Sequence, residues 1–177
     1  SIVDENGDWT VISPDGWFEK SLNFAGLHFV ASHTEVISLD QLSAVFKEPD
    51  LLPRLLGESV DGPPTGDIQA LKQVYLPPKV DADIKKDSSV LRVGIENNQG
   101  GIGKVQVYVN GALMEGKTRG KGIESKVKQT SLQIDLSNNH KIKNGEENVI
   151  EVFVFNEEGT IASRGQKTFW VASGEKQ

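Results

Sequence analysis

There is no cysteine in these 177 residues. That removes thiol nucleophiles, cysteine metal sites and disulfide bonds from whatever the chain does by itself. It leaves the compartment open, because a core of this size needs no disulfide. Methionine occurs once, aromatic residues make up 7% of the chain, and no charge of one sign dominates. The formal charge of −6 offers no global field for nucleic acid or for an anionic membrane surface. No apolar run approaches the roughly 18 residues of a spanning helix, and Ser1 opens no secretory signal pattern. His28, His33 and His140 have neither HExxH nor His-x-His spacing, and no serine sits in a Gly-x-Ser-x-Gly elbow. The residues therefore display no nucleophile or metal set, and the chain is expected to have no catalytic, metal or cofactor site.

What is present is turn chemistry and alternation. Eighteen glycines are spread along the chain, as suits many turns and short strands. Val105–Val109 alternates branched residues with Gln106 and Tyr108, the period of a strand with one buried face. Asn110-Gly111 then supplies two residues that tolerate positive φ, which predicts a type I′ turn and a return through Ala112-Leu113-Met114. The glycines at 100, 101 and 103 are expected to let the backbone bend into that hairpin.

Before residue 67, Trp9–Ile12 and Trp17-Phe18 flank Ser13-Pro14-Asp15-Gly16, a type I turn signature. Two extended pieces follow, at 27–31 and 35–38. Ser38 or Asp40 is a candidate N-cap for a short helix with Leu39, Leu42, Val45 and Phe46 on one face. Pro49 opens a second helix that stops at Gly57, with Pro53 an awkward interior residue. Asp61–Gly66 reads as the linker, followed by one helical turn in 67–72. Leu76–Val80 reads as an edge strand. Leu91, Val93 and Ile95 alternate with Arg92, Gly94 and Glu96, and Leu132, Ile134 and Leu136 alternate likewise. Val149–Phe155 is nearly continuous, the pattern of a central strand buried on both sides, and 168–171 closes the series. The expected fold is mainly β: an N-terminal β-hairpin with two short helices (1–66), an Ig-like antiparallel β-sandwich (67–173) and a tail (174–177). A Pro-Pro connection is stiffer than a glycine-serine tether, so the two pieces are expected to act as one rigid unit.

Three patterns invite chemistry. Gly111–Thr118 matches GxxxxGK[ST] letter for letter. A P-loop needs a parallel strand before it and a helix behind it, and here the first glycine is already committed to the Asn-Gly turn, so nucleotide binding ranks last. Asp81, Asp83 and Asp87 have the chemistry of a calcium site at a sandwich edge, but Lys85 and Lys86 lie among them and ordinary solvation is the expectation. A partner surface is the third: the aromatics Trp9, Trp17 and Phe18, and the basic loop with Lys117, Arg119, Lys121, Lys126 and Lys128.

Taken in order, Trp9–Phe18, Glu48–Leu51 through Leu56-Gly57, Pro77–Val80, Gly100–Val105 through Asn110-Gly111, and Asn148–Val152 through Glu158–Ser163 cover nearly the whole chain. This order of segments resembles the connecting region of bacterial multidomain proteins that join a WD-repeat propeller to a caspase-like peptidase domain. Such peptidases use a Cys–His dyad, so the resemblance implies a noncatalytic piece of a longer chain. Its implied role is that of a scaffold or adaptor touching neighbouring domains of the same parent or other proteins. A sandwich that binds a carbohydrate or protein ligand is the alternative, and would need an exposed aromatic platform or a concave face.

Overall fold

The computed structural model describes residues 1–30, 36–58, 75–114 and 126–172. The linker at 61–66, the helical turn at 67–72 and most of the 115–129 loop lie outside the described residues. The chain divides into two compact units, Ser1–Val74 and Tyr75–Gln177, so the expected 66/67 boundary falls in the segment that is not described. The architecture is mainly β, with twelve strands and two short helices among the described residues.

The first unit begins with a three-stranded antiparallel sheet of β1 (Ile2–Val3), β2 (Trp9–Ile12) and β3 (Phe18–Lys20). The β2–β3 turn is the one the Ser-Pro-Asp-Gly signature predicts. The Ser13 amide donates to the Trp17 carbonyl at 2.8 Å, the Trp17 amide donates to Ser13 Oγ at 3.1 Å, and Gly16 takes φ 95°. β4 (His28–Val30) pairs with β5 (Val36–Ser38), which runs into helix α1 (Leu39–Phe46). Ser38 is the N-cap, and its amide donates back to Gln41 Oε1 at 3.1 Å. Leu39 packs with Phe18 and Phe24, and Leu42 and Phe46 join them, three of the four residues that the spacing puts on one helix face. Lys20, with its side chain almost wholly buried, donates to the Phe24 carbonyl and pairs with Asp40 at 2.8 Å, tying β3 to α1.

Helix α2 (Leu51–Leu55) is short, and Pro53 is not awkward in it. Pro53 is its third residue, where a backbone N–H has no intrahelical partner anyway. The start of α2 is capped from a distance: Glu19 carboxylate oxygens accept from the Asp50 and Leu52 amides at 3.3 and 2.9 Å. A carboxylate there also complements the partial positive charge of a helix start.

The second unit is a sandwich of two antiparallel sheets. One has the order β10 (Gln129–Asp135), β7 (Val90–Glu96), β6 (Lys79–Ile84); the other has β12 (Gln166–Val171), β11 (Glu147–Val154), β8 (Val105–Val109), β9 (Ala112–Leu113). Alternation decides which side chains face inward. Leu91, Val93 and Ile95 of β7 meet Val105, Val107 and Val109 of β8 and Ile150, Val152 and Val154 of β11 in one core, closed by Ile134 and Trp170. The β8–β9 turn has Asn110 at φ 51° and Gly111 at φ 80°, as a type I′ turn requires.

Two readings are corrected. The strand expected at 76–80 runs from Lys79 to Ile84, so Asp81 and Asp83 are ladder residues of an edge strand, opposite Gly94 and Arg92. Strand β11 is central in its sheet but not buried on both faces. Its residues alternate between buried and partly exposed, which leaves Val149, Glu151 and Phe153 on an outer surface.

Candidate functional site

The residues singled out in the sequence fall in different places. Trp17 is buried, packed with Val11 and Leu51, and Trp9 lies partly buried against the same cluster. Phe18 is buried as well. These aromatics fill the core of their own unit. Lys117, Arg119 and Lys121 lie outside the described residues; of the same basic loop, Lys126 and Lys128 are described and both are exposed. His28 and His140 are exposed, and His33 is not described. Asp81, Asp83 and Asp87 are exposed, and among the described residues no three histidine, aspartate or glutamate side chains are grouped to hold a metal ion. Among the described residues no helix is long and apolar enough to cross a membrane.

The Walker-like match is pinned at its start. Gly111 completes a hairpin turn, and Ala112-Leu113 pairs antiparallel with β8, Val109 opposite Ala112. A phosphate cradle needs those residues in an open loop between a parallel strand and a helix. Calorimetry with Mg·ATP is expected to show no binding, and a micromolar dissociation constant that disappears in Lys117→Ala would overturn this.

Two buried asparagines organise the two ends of the sandwich. At the β8–β9 end, Asn148 Oδ1 accepts from the Lys143 amide at 2.8 Å and from Asn110 Nδ2 at 2.9 Å. Its own Nδ2 donates to the carbonyls of Lys143 and Glu146. Asn110 Nδ2 also donates to the Lys141 carbonyl at 2.7 Å, and its Oδ1 accepts from the Val149 amide. The hairpin turn and the 137–146 loop are thereby held as one piece. Beside them opens a cleft of about 660 Å³ lined by Leu113, Met114, Asp135 and Asn138 to Lys141.

At the opposite end, Asn156 is fully buried and bonded on every side. Its Nδ2 donates to the Tyr75 carbonyl at 2.9 Å and to Thr160 Oγ1 at 2.8 Å, and its Oδ1 accepts from the amides of Thr160 and Ile161. The neighbouring backbones touch closely. A Cβ on Gly100 would collide with the backbone of Leu76, and one on Gly103 would collide with the carbonyl of Asn156. The Glu157 amide donates to Gly100 O and the Gly103 amide to Phe155 O, both at 2.9 Å. Residues 75–76, 100–103 and 155–161 thus form a clasp around the point where the chain enters the sandwich. Sequence reasoning missed this clasp. A glycine beside a strand can mark a close backbone approach, and that was the available signal.

No family model matches the chain, and no curated protein matches it. Among solved structures it is similar to the Clostridium perfringens spore cortex lytic enzyme SleM, at 18% identity and a TM-score of 0.34. The match covers 56% of this chain and 29% of that one, so the chain spans less than a third of SleM. A superposition that loose carries no argument.

Proposed function

We propose that the chain is a noncatalytic scaffold or adaptor that presents a rigid β-sandwich to neighbouring domains of the same parent chain or to other proteins. The observation that supports this reading is the clasp around Tyr75 and Leu76. A sandwich meant to transmit position must grip the chain that enters it. Here the grip consists of a buried asparagine satisfied on every side and two glycines whose α-carbons lie against another segment's backbone. Buried polar networks of this kind rigidify when fully satisfied. The polar side chains buried in the sandwich, Asn148, Asn156 and Ser163, bond mainly to backbone and so hold structure. The resemblance to bacterial proteins joining a propeller to a caspase-like peptidase names the setting we propose for it.

Cross-linking mass spectrometry on the protein encoded by the complete reading frame tests the reading. The scaffold account expects cross-links from exposed sandwich lysines such as Lys79, Lys86 and Lys104 to an upstream propeller or a downstream peptidase-like domain. A frame that encodes no further domain, together with saturable binding of an oligosaccharide by the isolated chain, would favour the ligand-binding sandwich instead. The cleft beside Leu113 and His140 is one concavity in which such a ligand could be sought.

A further inference from the structure

The edges of the sandwich differ in chemistry. On the three-stranded sheet, β6 follows Pro77-Pro78 and carries Lys79, Asp81 and Asp83, and proline and charge on an edge discourage a further strand from pairing there. The other edge, β10, exposes Gln129, Ser131, Gln133 and Asp135, a polar row with no apolar contact for an added strand. On the four-stranded sheet, β9 is only two residues long. Strand β12 has none of these devices. Its sequence Gln-Lys-Thr-Phe-Trp-Val has no proline and a single charge, and it pairs with β11 along its whole length without a bulge.

Hydrogen-bond direction shows what β12 has left over. Successive residues of a strand turn their N–H and C=O to opposite sides. The Asn110 amide donates to the Val149 carbonyl at 2.8 Å, so Val149 and Glu151 turn toward β8, and Asn148, Ile150 and Val152 turn toward β12. Their partners on β12 are Trp170, Thr168 and Gln166. In the same phase, the Ala172 carbonyl accepts from the Gly145 amide at 3.0 Å. Lys167, Phe169 and Val171 therefore direct both backbone groups away from the sheet, where they have no partner among the described residues. Phe169 is 62% exposed and Val171 58%, so this row is open to solvent.

We propose that β12 is a docking edge for an extended segment of another polypeptide, which adds as a fifth strand beside Lys167, Phe169 and Val171. The backbone selects this occupant. Donors and acceptors that repeat every second residue, about 6.8 Å apart, match another extended backbone. They do not match a helix, whose backbone groups are spent internally, or a sugar. The side chains set the segment's pattern: apolar residues opposite Phe169 and Val171, and a neutral polar residue opposite Lys167, whose charge is already met by Glu151 at 3.6 Å. A second copy fits less well. β6 runs beside β12, so joining two copies edge to edge would bring Asp81 and Asp83 toward the same carboxylates, which a lone strand avoids. This inference rests on the adaptor reading and gives it a kind of partner.

Amide exchange by NMR on the full chain tests it, with the peptide acetyl-Ser-Val-Thr-Val-Thr-Gln-Ser-amide as probe at up to about 1 mM. Without peptide, the amides of Lys167, Phe169 and Val171 should exchange fast and those of Thr168 and Trp170 slowly. Peptide is expected to slow the first set by about tenfold or more, and N-methylation of both its valines to abolish the effect. Lys167→Pro and Phe169→Pro each delete an outward amide that β11 does not use. Each should bind the peptide about tenfold or more weakly than Lys167→Ala or Phe169→Ala, which keep the N–H. Circular dichroism identifies the variants that keep the fold, and the wild-type chain with the two peptides decides the matter if neither proline variant does. A peptide that protects none of these amides, an N-methylated peptide that protects them equally, or folded proline variants that bind as the alanine ones do would overturn the proposal. Protection that appears on raising the protein concentration alone would overturn it too, by giving the edge to a second copy. The cross-links expected of an adaptor do not depend on this edge, so the two readings fail separately.

Discussion

Val107→Asp is expected to unfold the sandwich under conditions where Gln106→Asp leaves it intact. Both residues are on β8, one position apart, and the pleat sends them to opposite faces. Val107 is 2% exposed and lies opposite Val152, inside the cluster shared by β7, β8 and β11. A carboxylate there has no partner and no water, at a cost of about 3 kcal/mol or more. Gln106 lies opposite Phe153 on the outer face, where an ionised side chain stays hydrated and costs about 1 kcal/mol or less. Chemical denaturation of the two variants checks the pair. Equal midpoints would mean that the strand register is wrong.

The second large effect is expected from a single methyl group. Gly103→Ala places a Cβ into the carbonyl of Asn156, and backbone cannot rotate away as a flexible side chain can. Relief requires moving the 155–161 turn, which also carries the Asn156 bonds to Tyr75, Thr160 and Ile161. Overpacking of this kind costs about 1–3 kcal/mol before the lost hydrogen bonds are counted. Gly94→Ala is the control, because a Cβ there meets nothing nearer than the Asp81 carbonyl at 3.9 Å. The melting temperature of Gly94→Ala should stay near that of the wild type while that of Gly103→Ala falls by several degrees. Matching losses in the two would argue that glycine at 103 serves chain flexibility and no close contact.

The fold was legible where a local rule acts alone. The alternation of Leu91, Val93 and Ile95 leads directly to the buried face of β7, and Asn110-Gly111 to the turn between β8 and β9. Ser38 and Gly57 bound the helical region as capping chemistry requires. Legibility failed where a distant segment decides. Glu19 caps α2 across 31 residues, and no pattern near Pro53 announces it. Asn156 reaches Tyr75 across 81 residues, so its role is invisible to any window along the chain. The aromatic surface expected from Trp9 and Trp17 is consumed by packing with Val11 and Leu51. The outer face of β11 was hidden for a related reason: an unbroken run of apolar residues reads the same whether its second face is covered within the unit or left for a partner.

Amide hydrogen exchange on the intact chain tests the central claim, that the clasp and the core of the sandwich form one rigid body. The amides to compare are those of Gly103, Asn156 and Glu157 in the clasp, all hydrogen-bonded to backbone carbonyls, and those of Ile150 and Val152 in β11. A single cooperative unit exposes both groups only through the same global opening, so their exchange free energies should agree and should fall together in Asn156→Ala. Clasp amides that exchange by local opening, several kcal/mol more easily than those of β11 and unchanged by Asn156→Ala, would contradict the account.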